Sequence, residues 1–334
     1  MNSKIRTDLA MESEALQQEN ALPEGVRARR ERRGSFFVTT VEVLNEAGEQ
    51  ALAKPRGRYI TLELDAFLRR EENAFSEAAA LLSDLLRPLI KLEKNGNYLV
   101  VGLGNRDITP DAVGPDTVDC VMVTRHLTSR MPEDFAAFRP VSAVCSGVLG
   151  TTGIESSDLA LAITRQIHPT AVIVIDALAS REPQRLCRTV QIADTGIVPG
   201  SGVGNARQAL NRDTLGVPVV AVGVPTVVDA ATLTIDLAAR AGVDLDTADF
   251  GEAGSMIVTP RDIDKNVRDV AKLIAYGLNL ALHDGLTIED VDMFRSAIRE
   301  QRKRLRSISA SGAVFRLIYI QKRSILPHVN VGEW

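Results

Sequence analysis

The sequence predicts an α/β fold of three layers, with a mostly parallel central sheet flanked by helices. Two observations carry that prediction. Short continuous apolar runs at Leu99–Gly104, Ala171–Ile175 and Val217–Val224 have the length and branched composition of strands buried on both faces. Stretches with apolar residues at helical spacing alternate with them, at Ala74–Ile90, Ser157–Ile167 and Asp229–Ala241.

In chain order, the first 33 residues are polar and charged, and five arginines crowd Arg27–Arg33 around Glu31, a pattern expected on a solvated surface. Ordered structure is expected from Ser35 onward. Phe36–Leu44 and Arg58–Leu64 are β-branched segments separated by Gly48 and by Pro55–Gly57, and they read as paired strands. The helix at Ala74–Ile90 follows. Tyr98–Asn105 then reads as a strand running into glycines and on to Pro110-Asp111. The second buried strand ends at Asp176, and Thr189–Asp194 leads into a loop dense in glycine from Gly196 to Gly204. The third ends at Pro225-Thr226. Helices are expected at Pro260–His283 and, strongly charged, at Ile288–Arg306.

Composition excludes several function classes. The 39 Lys+Arg against 43 Asp+Glu leave a net charge of -4, so there is no polycationic field for non-specific nucleic-acid binding. No apolar run approaches the ~20 residues that span a bilayer, and the N-terminus lacks a signal-peptide core, so a cytoplasmic protein with no membrane partner is expected. Three scattered cysteines form no disulfide framework, and four histidines form no H-E-x-x-H pair. Gly102-Leu103-Gly104 lacks the third glycine of a dinucleotide fingerprint, and no G-K-[ST] follows Gly200–Gly204, so no cofactor is called for. Asp194-Thr195-Gly196 is the triplet of pepsin-like proteases, but it occurs once and in a helix-rich chain.

Ligands of open α/β sheets bind outside the carboxyl ends of the strands, which nominates Asp111, Asp176 and Asp194. Two carboxylates converging there repel one another, so that one keeps its proton while the other stays ionised, a division between acid and base. Helix capping is the alternative role for these aspartates.

Longer motifs resemble one family. L-V-V-G-L-G-N at Leu99–Asn105, T-P-D-A-V-G-P at Thr109–Pro115, V-T-R-H-L at Val123–Leu127 and I-D-A-L-A-S-R at Ile175–Arg181 are similar to segments of the germination proteases of spore-forming bacteria. So are D-T-G-I-V-P-G-S-G-V-G-N at Asp194–Asn205 and the run from Thr214 to Ala230, and the likeness extends from about Ile5 to His283. The resemblance implies an endopeptidase, an atypical aspartic protease with catalytic Asp111 and Asp176, that begins the degradation of small acid-soluble DNA-binding spore proteins in the spore core. It implies no cofactor and no metal, a homotetramer, and a precursor that cuts its own N-terminus after an acidic residue. Arg6-Thr7-Asp8-Leu9-Ala10-Met11-Glu12 fits that cut between Asp8 and Leu9. The expected division is a propeptide at 1–8, a single protease domain at 9–284 and a helical extension at 285–334. Gly200, Gly202 and Gly204, with Asp194, are expected to support the site by donating N–H groups or leaving space. Two departures from the family stand out: only Gly242–Ser255 separate the helix from Met256–Pro260, where the family carries a longer insertion, and the chain continues past His283.

The strand-loop start G-L-G-N and the later I-D-A are also similar to hydrogenase-maturation endopeptidases, which share the fold class. That likeness implies an alternative in which Asp111 and Asp176 are metal ligands, with His126 the available histidine. A non-catalytic scaffold retaining the fold is a third possibility, disfavoured because both aspartates are present.

Overall fold

The computed structural model describes residues 6–13, 16, 22–245 and 250–296. Among these, nine strands form one sheet: β1 (Val26–Arg33), β2 (Phe36–Val43), β3 (Gly57–Glu63), β4 (Tyr98–Leu103), β5 (Val141–Gly147), β6 (Ala171–Ala179), β7 (Thr189–Ala193), β8 (Val219–Asp229) and β9 (Ile257–Val258). Their order is β1-β2-β3-β7-β8-β6-β4-β5, with β9 attached to β8. Strands β5, β4, β6 and β8 run parallel, and β7, β3, β2 and β1 extend the sheet in antiparallel pairing. Helices in the crossovers build the parallel half, whereas β1 and β2 are joined directly by a two-residue turn. The chain is therefore an α/β protein with a mixed sheet, parallel through its centre and flanked by helices.

The flanking helices explain why the central strands are apolar throughout. On one face α2 (Ala74–Ile90) and α4 (Ile263–Leu282) pack over Val100, Ile173, Ile175, Ile192 and Val222. The alternate residues Leu99, Val101, Val172 and Val174 meet Ala160 of α3 (Ser156–Ile167) on the other face. Farther along that second face, Val41, Val43, Tyr59 and Ala193 pack with Leu52 of α1 (Glu46–Leu52) and with Ala10. Residues 288–296 are helical, and Val291 is buried in the first core.

Pairing places four residues in one row across the second face: Thr61 opposite Gln191, Gln191 opposite Gly223, and Gly223 opposite Asp176. Residues paired in this way point to the same side of a sheet. Two strand spacings, about 10 Å, separate Gln191 from Asp176.

Three expectations are corrected. Order begins before Ser35: residues 6–13 lie on the sheet, and Arg27–Arg33 belongs to β1. The arginines of β1 are exposed, and Arg27 and Arg30 reach Glu42 and Glu63 at 3.3 and 3.0 Å. A charged edge strand of this kind resists pairing with other chains, which is why its sequence looks like a solvated surface. Strand β6 does not end at Asp176, nor β8 at Val224; their pairing continues to Ala179 and Val227 past an irregularity at Leu178. Residues 1–5 of the expected propeptide, 297–306 of the last helix and the rest of the extension to 334 lie outside the described residues. Among the described residues, no helix is long and apolar enough to cross a membrane.

Candidate active site

Asp176 projects from β6 in the row just described, 5% exposed, with one carboxyl oxygen accepting the Ala177 N–H at 2.9 Å. Asp111 closes a 3-10 turn, Thr109–Asp111, that folds back over the end of β4. The fold-back requires glycine at 104, where φ is +104° and a Cβ would stand 2.1 Å from the Asp111 carbonyl oxygen. The Asp111 carboxylate accepts the Asn105 N–H at 2.7 Å. The G-L-G-N signature is thus a device for placing Asp111. Both aspartates line one cavity of about 430 Å³, together with Asp8, Asn105, Gly200 and Gly202.

The two carboxyls are electrostatically unequal. Burial pushes Asp176 well above the usual carboxylate range, and the negative charges of Asp111 and Asp8 push it in the same direction. Asp111 is raised by burial and pulled back by the Asn105 N–H. Asp176 therefore favours its protonated form more strongly than Asp111 does, an inequality that suits one carboxyl to act as an acid and the other as a base.

The N-terminal segment occupies the site. Asp8 donates its N–H to the Ala179 carbonyl at 2.9 Å, and its carboxylate accepts the Ala179 N–H at 2.9 Å and the Ser201 hydroxyl at 2.6 Å. Its own carbonyl oxygen accepts from Lys54 Nζ at 3.0 Å and Gln191 Nε2 at 3.1 Å. Leu9 is fully buried, and the Ala10 N–H donates to Gln191 Oε1 at 2.8 Å. Arg6 reaches the Thr232 hydroxyl and, at 3.4 Å, Asp229. Glu12 is 1% exposed, accepts the N–H groups of Arg181 and Glu182 and the Thr7 hydroxyl, and lies 3.2 Å from the Arg185 guanidinium. These bonds hold Arg6 to Glu12 across the second face of the sheet.

Of the glycine loop, Gly200 and Gly202 line the cavity and Gly204 packs under the Arg6 guanidinium. Gly202 leaves space, since a Cβ there would fall 2.1 Å from Asp8 Oδ2 and 2.6 Å from the Ala179 methyl. Asp194 is not among the cavity residues: it accepts from the Arg58 backbone N–H at 2.7 Å and its guanidinium at 3.1 Å, tying β7 to β3. His126 lies in a different groove, beside Arg125 and Arg130. Among the described residues, no three His, Cys, Asp or Glu side chains are placed to hold a metal ion. Sequence reasoning missed Lys54, Gln191 and Ser201. Gln191 carries a readable signal, a lone amide in the buried strand Thr189–Ala193; Lys54, in an ordinary turn, carries none.

Comparison with known proteins places these residues in context. A family model described as germination protease matches residues 5–240. The chain is 41% identical over 319 residues to the germination protease of Clostridium tetani, covering 87% of this chain and 99% of that protein. It is 36% identical over 351 residues to the germination protease of Bacillus subtilis, covering 86% and 95%. Among solved structures, the [NiFe] hydrogenase maturation protease HycI of Thermococcus kodakarensis aligns with 58% of this chain and 98% of its own, at 15% identity and a TM-score of 0.33.

Proposed function

The chain belongs to the germination protease family, a family of spore-germination peptidases, and from that premise we propose an aspartate-based endopeptidase, made as a self-cutting precursor. Its substrates on this reading are the small acid-soluble proteins that coat spore DNA, its compartment is the spore core, and its assembly is a homotetramer. The observation that supports it is the docked Asp8–Leu9 segment beside two carboxyls with unequal proton affinities.

In the proposed reaction Asp111 takes a proton from water as the oxygen attacks the carbonyl carbon of the residue before the cut. Protonated Asp176 gives its proton to the departing amide nitrogen. The Ala179 N–H, the Ser201 hydroxyl and the space at Gly202 select an acidic side chain at that residue. The enclosed Leu9 position suits a large apolar residue after it.

Asp111→Asn and Asp176→Asn are each expected to slow self-cleavage by roughly 10²–10⁴-fold while the protein still unfolds in one cooperative transition. Intact-mass measurement of the N-terminus during incubation at mildly acidic pH reads the outcome. A variant that still releases Met1 to Asp8 at the parent rate refutes that residue's role. Loss of cleavage on chelation, restored by added metal, assigns the two aspartates to a metal ion instead.

A further inference from the structure

We propose that Lys54 and Gln191 are catalytic residues of this reaction, the pair that binds the oxyanion formed at the carbonyl of the residue before the cut. The inference rests on the proposed scission at Asp8–Leu9 and adds to it the groups that receive the negative charge.

Two donors from separate elements converge on a single peptide oxygen, that of Asp8: Lys54 Nζ at 3.0 Å and Gln191 Nε2 at 3.1 Å. The convergence is specific to the bond. Gln191 spans it, because its other amide atom, Oε1, accepts the Ala10 N–H at 2.8 Å. A backbone N–H can only donate, so the Ala10 bond fixes which end of the amide faces the Asp8 carbonyl. Lys54 follows α1, in the turn that leads to β3, and donates to the same oxygen. Burial pushes the Lys54 pKa down, and the negative charges of Asp8 and Glu12, both on the docked segment, pull it back up and favour the ammonium. Counter-charge from the segment to be cut is what favours the ammonium here, so its placement is tied to that segment.

The row across the sheet relates the donors to Asp176. Gln191 and Asp176 rise from one face on either flank of Gly223, whose missing side chain leaves room for Leu178 between them. Water adds to the Asp8 carbonyl carbon, forming a C–O bond, while its proton passes to Asp111. The C=O π pair moves onto the oxygen, where Lys54 and Gln191 stabilise it by charge-assisted and neutral hydrogen bonds. Collapse restores the C=O, breaks the C–N bond to Leu9, and the nitrogen takes the proton held by Asp176. With the oxyanion held by Lys54 and Gln191, Asp176 has no need to protonate the carbonyl, and its proton is free for the leaving amine.

The test is self-cleavage of the full-length chain by Lys54→Met, followed by intact mass, with the parent protein and Asp176→Asn alongside. Removal of one oxyanion donor is expected to slow cleavage by roughly 10²–10³-fold. Docking is read separately by amide exchange at residues 8 and 10, in Asp176→Asn with and without Lys54→Met, so that no cutting intervenes. Retained protection with slowed cleavage is the result expected. Cleavage within threefold of the parent overturns the inference, and so does loss of protection, which would make Lys54 a docking residue. If Lys54→Met does not melt cooperatively, Lys54→Gln carries the same readouts, with slowing of about tenfold or more expected for loss of the charge. A parent chain that never cuts at Asp8–Leu9 sinks the scission reading itself, an outcome distinct from a parent that cuts and a lysine variant that cuts equally well.

Discussion

Asp176 is a charged residue type inside a strand whose other side chains are all apolar, and its burial sets its behaviour. The folded chain holds its proton more tightly than an unfolded chain does. From the ordinary carboxylate value of about 4 up to the raised value, the folded state binds more protons, so stability falls as pH rises through that window and the penalty vanishes below it. Each pH unit there is worth at most about 1.4 kcal/mol. Asp176→Asn removes this titration without changing shape. The variant is therefore expected to melt higher than the parent at pH 7, with the difference shrinking towards zero near pH 4; a difference independent of pH would mean that Asp176 is buried in its ionised form. Asp111 and Asp176 were legible because an acidic residue next to an apolar strand contradicts the local pattern. Lys54 was not, because its partner is a carbonyl 46 positions earlier in sequence, and no local pattern encodes that meeting.

At the scale of elements, the glycine loop shows what a motif can and cannot disclose. Its density marked it as functional, yet whether it donates N–H groups or leaves space depends on which strand lies opposite. Opposite Gly202 is the Asp8 carboxylate. Gly202→Ala is expected to push that carboxylate out of reach of Ala179 N–H and Ser201, a loss of about 1.5–3 kcal/mol for a charged hydrogen bond. Self-cleavage should then slow roughly 10- to 100-fold, and the melting temperature should fall by no more than the few degrees that loss of the Asp8 carboxylate bonds costs. An unchanged cleavage rate, read by intact mass, would show that the carboxylate is not held there during the reaction. The ends of β6 and β8 were misread for a related reason. Asp176 and Pro225 are terminators by local propensity, and the long β6–β8 pairing overrides them.

For the whole molecule, periodicity disclosed the two-sided core, since strands apolar on both faces require helices on both faces. It disclosed only part of the antiparallel half, pairing β2 with β3 but leaving β1 and β7 unplaced beside them. Partner choice among strands is a long-range property, and the arginine-rich edge β1 carries no apolar stripe to announce itself. Nor did it show that Arg6 to Glu12 straps that half to the parallel one, touching Thr232, Ala179, Gln191 and Arg181 in turn. Release of residues 1–8 would remove the Arg6 and Asp8 bonds while leaving Ala10 and Glu12 attached. A net hydrogen bond contributes about 1 kcal/mol, and the freed segment regains part of that as entropy. The truncated chain is therefore expected to melt roughly 2–8 °C below the intact one. Calorimetry on the two forms decides this, and equal transitions would mean that the strap contributes nothing to global stability.

The enclosure of Leu9 has a kinetic consequence. On the proposed reading, scission leaves Leu9 as a fresh amine terminus, its side chain seated in the pocket that buries it in the uncut chain and the neighbouring amide pinned to Gln191. That stub sits where the trailing part of any second polypeptide has to lie. Truncation and readiness to work on others are then separate events, and digestion of foreign chains begins only after the new end has peeled away from the sheet.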